Sequence, residues 1–263
     1  MIDRRTLISS GLAITLGAAD RAISANNSVP PPGGPKHVEL RIRYVTQKAG
    51  KLVERGHEIA SYDLNEDGLI TFRANSHSDD PQVVRDVIYT LDRNYRPLEA
   101  FVRRQVQGRY EGSGWFRFEE GQISSETFNR LAGRQSQVTE LAAPARAFVA
   151  HPVTTDVMLA AAYDRSLPRR QKLPGVFTSS ADPYGRVGPS LAPSKIFLEY
   201  AGTESLQTPA GAVQTDRYDL FTAESATEPL ETLWTLVDTC IFIRAQAHGQ
   251  FNSSYELVEF RAT

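Results

Sequence analysis

Apolar and polar residues alternate in short runs along most of this chain. His37-Val38-Glu39-Leu40-Arg41-Ile42-Arg43-Tyr44-Val45 puts Val38, Leu40, Ile42 and Tyr44 on one side and Glu39, Arg41 and Arg43 on the other, the signature of a half-buried strand. Val53 to Leu64 and Leu69 to Asn75 continue the rhythm around Asn65-Glu66-Asp67-Gly68, where the Asp-Gly step supplies the left-handed residue of a hairpin. Further strand-like runs cover 83–91, 98–107, 110–118, 122–129 and 135–141, separated by Gly, Asn, Asp and Pro. After Lys195 to Ala201 the pattern resumes in 212–221, around Trp234 and in Ile241 to His248, with Thr208-Pro209-Ala210-Gly211 as the turn that opens this back third. Turn signals about every ten residues, with no βαβ alternation, predict a mainly β fold. The expectation is an antiparallel curved sheet, or an incompletely closed β-barrel.

One segment breaks the alternation. Val149 to Asp164 is alanine-rich, and Thr154 or Thr155 followed by Asp156 suits the first turn of a helix. It predicts one short helix of two to three turns packed on the sheet. Residues 165–194 then read as a long loop rich in Pro, Gly, Ser and Arg, a length usually reserved for lids and binding loops. Its Arg169, Arg170 and Lys172 suit either an anionic group or solvent.

The first 25 residues read as an export signal. Arg4-Arg5 stands before Leu7-Ile8 and a weakly apolar run ending near Ala25, too short to span a bilayer and similar to a twin-arginine signal. Either that route or the general secretory one leads to the periplasm. No cysteine stands near the cleavage point for a lipid anchor, and the single Cys240 excludes an intramolecular disulfide. Residues 26–36, with Val29-Pro30-Pro31-Pro32-Gly33-Gly34-Pro35, form a linker, so a single β domain is expected over 37–263.

Composition narrows the partners. The formal net charge is −2, with Lys and Arg scattered among Asp and Glu, so nucleic acid is not expected. No cofactor is expected either. His37, His57, His77, His151 and His248 lack ligand spacing, and Asp63, Asn65 and Asp67 begin a calcium loop that Ala74 fails to close. Gly112-Ser113-Gly114 lacks the spacing of a nucleophile elbow. Two kinds of site remain. A concave apolar face would be lined by Tyr89, Trp115, Tyr163, Trp234 and Phe242. A catalytic site would use His151 with Asp156 or Asp164 at the helix.

The order of a long meander, an interrupting helix, Thr208-Pro209-Ala210-Gly211, the Asp216-Arg217-Tyr218 strand, Trp234 and Ile241-Phe242-Ile243-Arg244 resembles the DUF3108-type exported proteins, most specifically over 195–260. Those are similar in outline to the open barrels of the lipoprotein-carrier superfamily. The resemblance implies a curved, unclosed sheet with a helix in its mouth and no catalytic residue. The expected function is therefore a periplasmic protein that binds or carries an apolar or amphipathic small molecule, with possible association with the envelope. A periplasmic hydrolase or lyase using His151 and a nearby carboxylate is the alternative.

Overall fold

The computed structural model describes residues 36–263 except 49, 80, 81, 168, 183, 184, 250 and 251. The export segment and the linker up to residue 35 lie outside the described residues. In β1 (His37–Lys48) the predicted alternation becomes a burial pattern: Val38, Leu40, Ile42 and Tyr44 are buried and Arg41 is exposed. The same period of two runs through β2 (Lys51–Leu64) from Gly56 on, β3 (Ile70–Asp79), β4 (Gln82–Leu91), β5 (Pro97–Val106), β6 (Arg109–Glu119) and β7 (Gln122–Asn129), and it is lost in β8 (Gly133–Glu140). Gly68, at φ 80°, turns the β2–β3 hairpin as the Asp-Gly step predicts.

Past the middle of the chain come β9 (Ala147–Val149), β10 (Gln171–Lys172), β11 (Val176–Thr178) and β12 (Ala192–Pro193), then β13 (Phe197–Thr208), β14 (Gly211–Phe221), β15 (Glu231–Leu236), β16 (Phe242–Ala247) and β17 (Ser253–Ala262). Among the described residues fourteen strands form one antiparallel sheet in the order β10-β13-β14-β15-β16-β17-β1-β2-β3-β4-β5-β6-β7-β8. Two meanders are thus joined where the last strand, β17, pairs with the first, β1. The sheet curves without closing. An open sheet must manage its edges: β8 is polar and largely exposed, and β10 is two residues long.

A second layer covers the buried face. A 3-10 turn, Val153–Asp156, runs into helix α1 (Val157–Ala162), and β12, β11 and β9 form a small sheet in which β9 and β11 are parallel. The helix is where the sequence places it, but neither threonine caps it through its side chain. Thr155 Oγ instead accepts from Ala150 N and donates to the Pro152 carbonyl, and Thr154 is drawn away by an acid described below. The expected long loop also carries three strands, too short to show periodicity. Phe148 of β9 is fully buried, with ring centroids 4.7 Å from Phe116, 5.1 Å from Phe118 and 5.9 Å from Tyr89. Burying such a ring is a large apolar contribution that helps hold this layer down. Met158 and Leu159 extend it. Among the described residues no helix is long and apolar enough to cross a membrane.

Arg170 ties the layer to the back of the sheet. It donates to Glu199 (3.0 Å) and to the carbonyls of Glu224 and Ala226 (2.8 and 2.6 Å), and lies over the Phe221 ring. Within the cluster of Arg169, Arg170 and Lys172 it is therefore a fastener rather than a solvated charge. Arg170→Ala should cost roughly 1 kcal/mol, read as a lower urea midpoint with an unchanged m-value.

Candidate functional site

The buried face of the sheet is mainly apolar, broken by small hydroxyl residues such as Ser76, Ser125 and Thr127 and by charged side chains that continue the inward alternation. In β2 the inward series runs through Glu58 between Gly56 and Ala60, and Glu58 is fully buried. Its carboxylate receives four donors. Tyr44 OH and Thr154 Oγ1 each donate to it, as do Val153 N (2.9 Å) and Thr154 N (3.3 Å). A carboxyl at a first helical turn is ordinarily local; here the acid comes from 95 residues upstream and accepts the free amides of the turn. Burial raises its pKa, opposed by the hydrogen bonds from Thr154, Tyr44 and Val153. Tyr44 is itself held well above the usual phenol value, by burial first and then by Glu58.

Asp156, at the end of the same turn, faces Glu231 at the start of β15. Burial and the proximity of Glu231 and Glu58 push Asp156 well up, and burial pushes Glu231 up to about 7. Both residues keep some surface exposure, yet Glu231 Oε1 is sealed from solvent without a hydrogen-bond partner among the described residues. Two carboxyl groups so placed cannot both ionise cheaply. The sequence suggests that the helix dipole favours a charged Asp156; the second acid and the burial reverse that.

A third group lies under residues 185–189. Arg85 of β4 and Arg104 of β5 are direct cross-strand partners. Arg85 Nη2 donates to the Gly185 carbonyl (3.1 Å) and Arg104 Nη2 to the Arg186 carbonyl (2.6 Å). His151 joins them beneath Gly185, at φ 73° before a proline, a costly backbone state for a non-glycine residue. Burial, then Arg85, lowers its pKa to about 3, so the imidazole is neutral.

The expected aromatic lining divides between the faces. Tyr89 is fully buried and donates to the Phe148 carbonyl (3.0 Å), and Phe242 is fully buried. Tyr163 packs on Tyr218 and donates to the Leu167 and Arg169 carbonyls. Trp115 and Trp234 are not brought to the buried face, because their neighbours Phe116 and Leu233 take the inward positions. Trp115 donates to Glu99 (3.0 Å), and Trp234 donates to Glu204 beneath Arg217 and Arg244. That outer side also holds an open groove of about 250 Å³ lined by Arg43, Gln207, Pro209, Arg244 and Glu256.

The catalytic candidates are likewise not gathered. His151 faces Arg85, Arg104 and Asp182, Asp156 faces Glu231, and Asp164 is exposed, accepting from Ser166. Asp63 is taken by His37 and Arg73, and Ser113 by Tyr110. Sequence reasoning passed over Glu58, Arg85, Arg104 and Glu231. The signal was available: each is a charge at a position where the alternation calls for an apolar residue.

No family model and no curated protein matches the chain. Among solved structures, a β-barrel-like protein of domain of unknown function DUF1849 from Brucella abortus superposes with a TM-score of 0.54 at 10% identity, over 88% of this chain and 99% of that one. A protein of YmcC-like fold from Bacteroides fragilis gives 0.30 at 10% identity, over 89% and 99% of the two chains. A domain described under outer membrane lipoprotein sorting, from Vibrio parahaemolyticus, gives 0.19 at 7% identity, over 97% and 93%. The first makes the chain a relative in fold of a β-barrel-like protein, and at this identity it speaks to fold alone.

Proposed function

We propose that this is an exported periplasmic protein, akin to the DUF3108-type proteins, that binds an apolar or amphipathic small molecule against the concave face of its sheet. One observation carries the reading: the apolar inner wall is covered by a separate segment, 147–163, with only six residues of α-helix, rather than by a second large sheet. Tyr89, Phe116 and Phe118 pack on Phe148 of that cover, and Phe242 belongs to the same buried cluster. Its first turn is fastened chiefly through one acid, Glu58. Displacing the segment offers a ligand a ready apolar surface, whose burial drives binding. Native mass spectrometry of protein taken from its own periplasm should release an amphipathic molecule on denaturation. An empty protein that also fails to take up an apolar fluorescent probe would end the proposal. Export itself is tested by fractionation, with Arg4→Lys and Arg5→Lys together expected to abolish it if the route is twin-arginine.

A further inference from the structure

We infer that Arg85, Arg104 and His151 form a seat for an oxyanion, a carboxylate or phosphate group, beneath the backbone of Gly185 and Arg186. The inference rests on the binding function proposed above and gives the bound molecule a negatively charged end.

Two guanidinium groups stand directly opposite each other on adjacent strands, an arrangement that repels unless an anion intervenes. Neither forms an ion pair among the described residues: Glu58 acts on Arg85, and Glu111 and Asp182 on Arg104, only at longer range. Arg85 is largely desolvated, and burial pulls its pKa down to about 10. A buried cation without a counter-ion is costly unless it has a use. The two guanidiniums instead hold two consecutive backbone carbonyl oxygens, of Gly185 and Arg186. Those oxygens occupy the kind of place that two oxygens of one anion would take.

Polar capacity remains unspent around them. Arg104 Nε and His151 Nε2 are both sealed from solvent with no hydrogen-bond partner among the described residues. Both residues line one small cavity, with Arg85, Val102, Ser179 and Gly185. Its volume of about 10 Å³ is room for one water at most. A larger oxyanion would therefore enter by replacing the two carbonyls. Gly185 suits this cover: a Cβ there would stand 2.7 Å from the His151 ring, so a side chain would fill the seat. A neutral imidazole can donate from Nε2 to an anion without adding a third charge in its absence.

The test is calorimetric titration of the full mature protein with dodecyl phosphate, dodecanol and inorganic phosphate. The wild type should bind dodecyl phosphate at least roughly tenfold more tightly than dodecanol, since a charge-assisted hydrogen bond is worth about that. Arg104→Gln should erase that difference and leave dodecanol binding within about twofold, whereas Arg103→Gln, at an exposed neighbour, should change neither. The His151 ring resonances of the wild type should shift with dodecyl phosphate and not with dodecanol, a readout that needs no variant. Equal affinity for the phosphate and the alcohol, insensitive to Arg104→Gln, would overturn the seat and leave apolar binding standing. Binding of inorganic phosphate that depends on Arg104, without uptake of either amphiphile, would keep the seat and overturn the carriage reading. Absence of any phosphate binding overturns the seat.

Discussion

Glu58→Ala should destabilise the protein by roughly 3–5 kcal/mol and release the covering segment before the sheet unfolds. The change strands four donors at once: Tyr44 OH, Thr154 Oγ1 and the amides of Val153 and Thr154. Each buried donor left unmade costs on the order of 1–3 kcal/mol, less where the freed turn reaches water. Glu58→Gln should cost less, because the amide keeps one acceptor oxygen but turns its NH2 towards groups that already donate. Urea denaturation gives the magnitudes, and hydrogen exchange gives the location. Exchange should quicken first over 153–162 while β1 to β4 stay protected, as expected when one cooperative unit is unlatched. If segment displacement is the route to the concave face, Glu58→Ala should also bind an apolar probe more tightly than the wild type. A loss below about 1 kcal/mol, or uniform exchange throughout the chain, would reject the latch.

Much of the sheet could be read from its period of two. Val38, Leu40, Ile42 and Tyr44 declared a half-buried β1, and that alternation was realised because the sheet has one covered face and one wet one. The helix was legible because alanines interrupt the rhythm. Pairing beyond the hairpins was not legible, since the union of β17 with β1 joins residues more than 200 apart and depends on curvature that no local run encodes. Nor could face be assigned in an aromatic strand. β6 carries Trp115, Phe116 and Phe118, and only the partners decide that Phe116 turns in and Trp115 turns out. For the candidate site the difficulty was different. Glu58, Arg85, Arg104 and Glu231 look like ordinary surface charges in composition, and their meaning lies in falling on inward positions. Helix-end chemistry drew attention to Thr154 and Asp156, yet their partners come from strands far away in sequence. A cap is local, and these contacts are tertiary.

Glu231→Gln should stabilise the protein at alkaline pH, and its advantage over the wild type should grow by roughly 2–3 kcal/mol between pH 5 and 8. Burial holds the Glu231 carboxyl at about 7 in the folded chain, against 4.5 for the free group. A raised acid pKa means the folded state keeps its proton longer. Its contribution is therefore complete below about pH 4.5 and is lost as pH rises through about 7. Asp156, raised in the same direction partly by Glu231, should be relieved by the same substitution. His151 has the opposite sign. Its folded value near 3 lies below the ordinary 6.5, so its contribution is present above 6.5 and disappears as pH falls towards 3. Over pH 4.5 to 6.5 the two trends oppose each other, and the wild-type profile alone would hide both. The difference between wild type and Glu231→Gln isolates the carboxyl pair from the imidazole, and His151→Asn should remove the acid-side loss while leaving the alkaline side in place. Chemical denaturation of the three proteins at half-unit intervals from pH 4 to 9 reads this directly. Parallel curves for wild type and Glu231→Gln would mean that burial does not hold the Glu231 carboxyl protonated in the folded chain, and that the contact of Asp156 with β15 is not pH-sensitive.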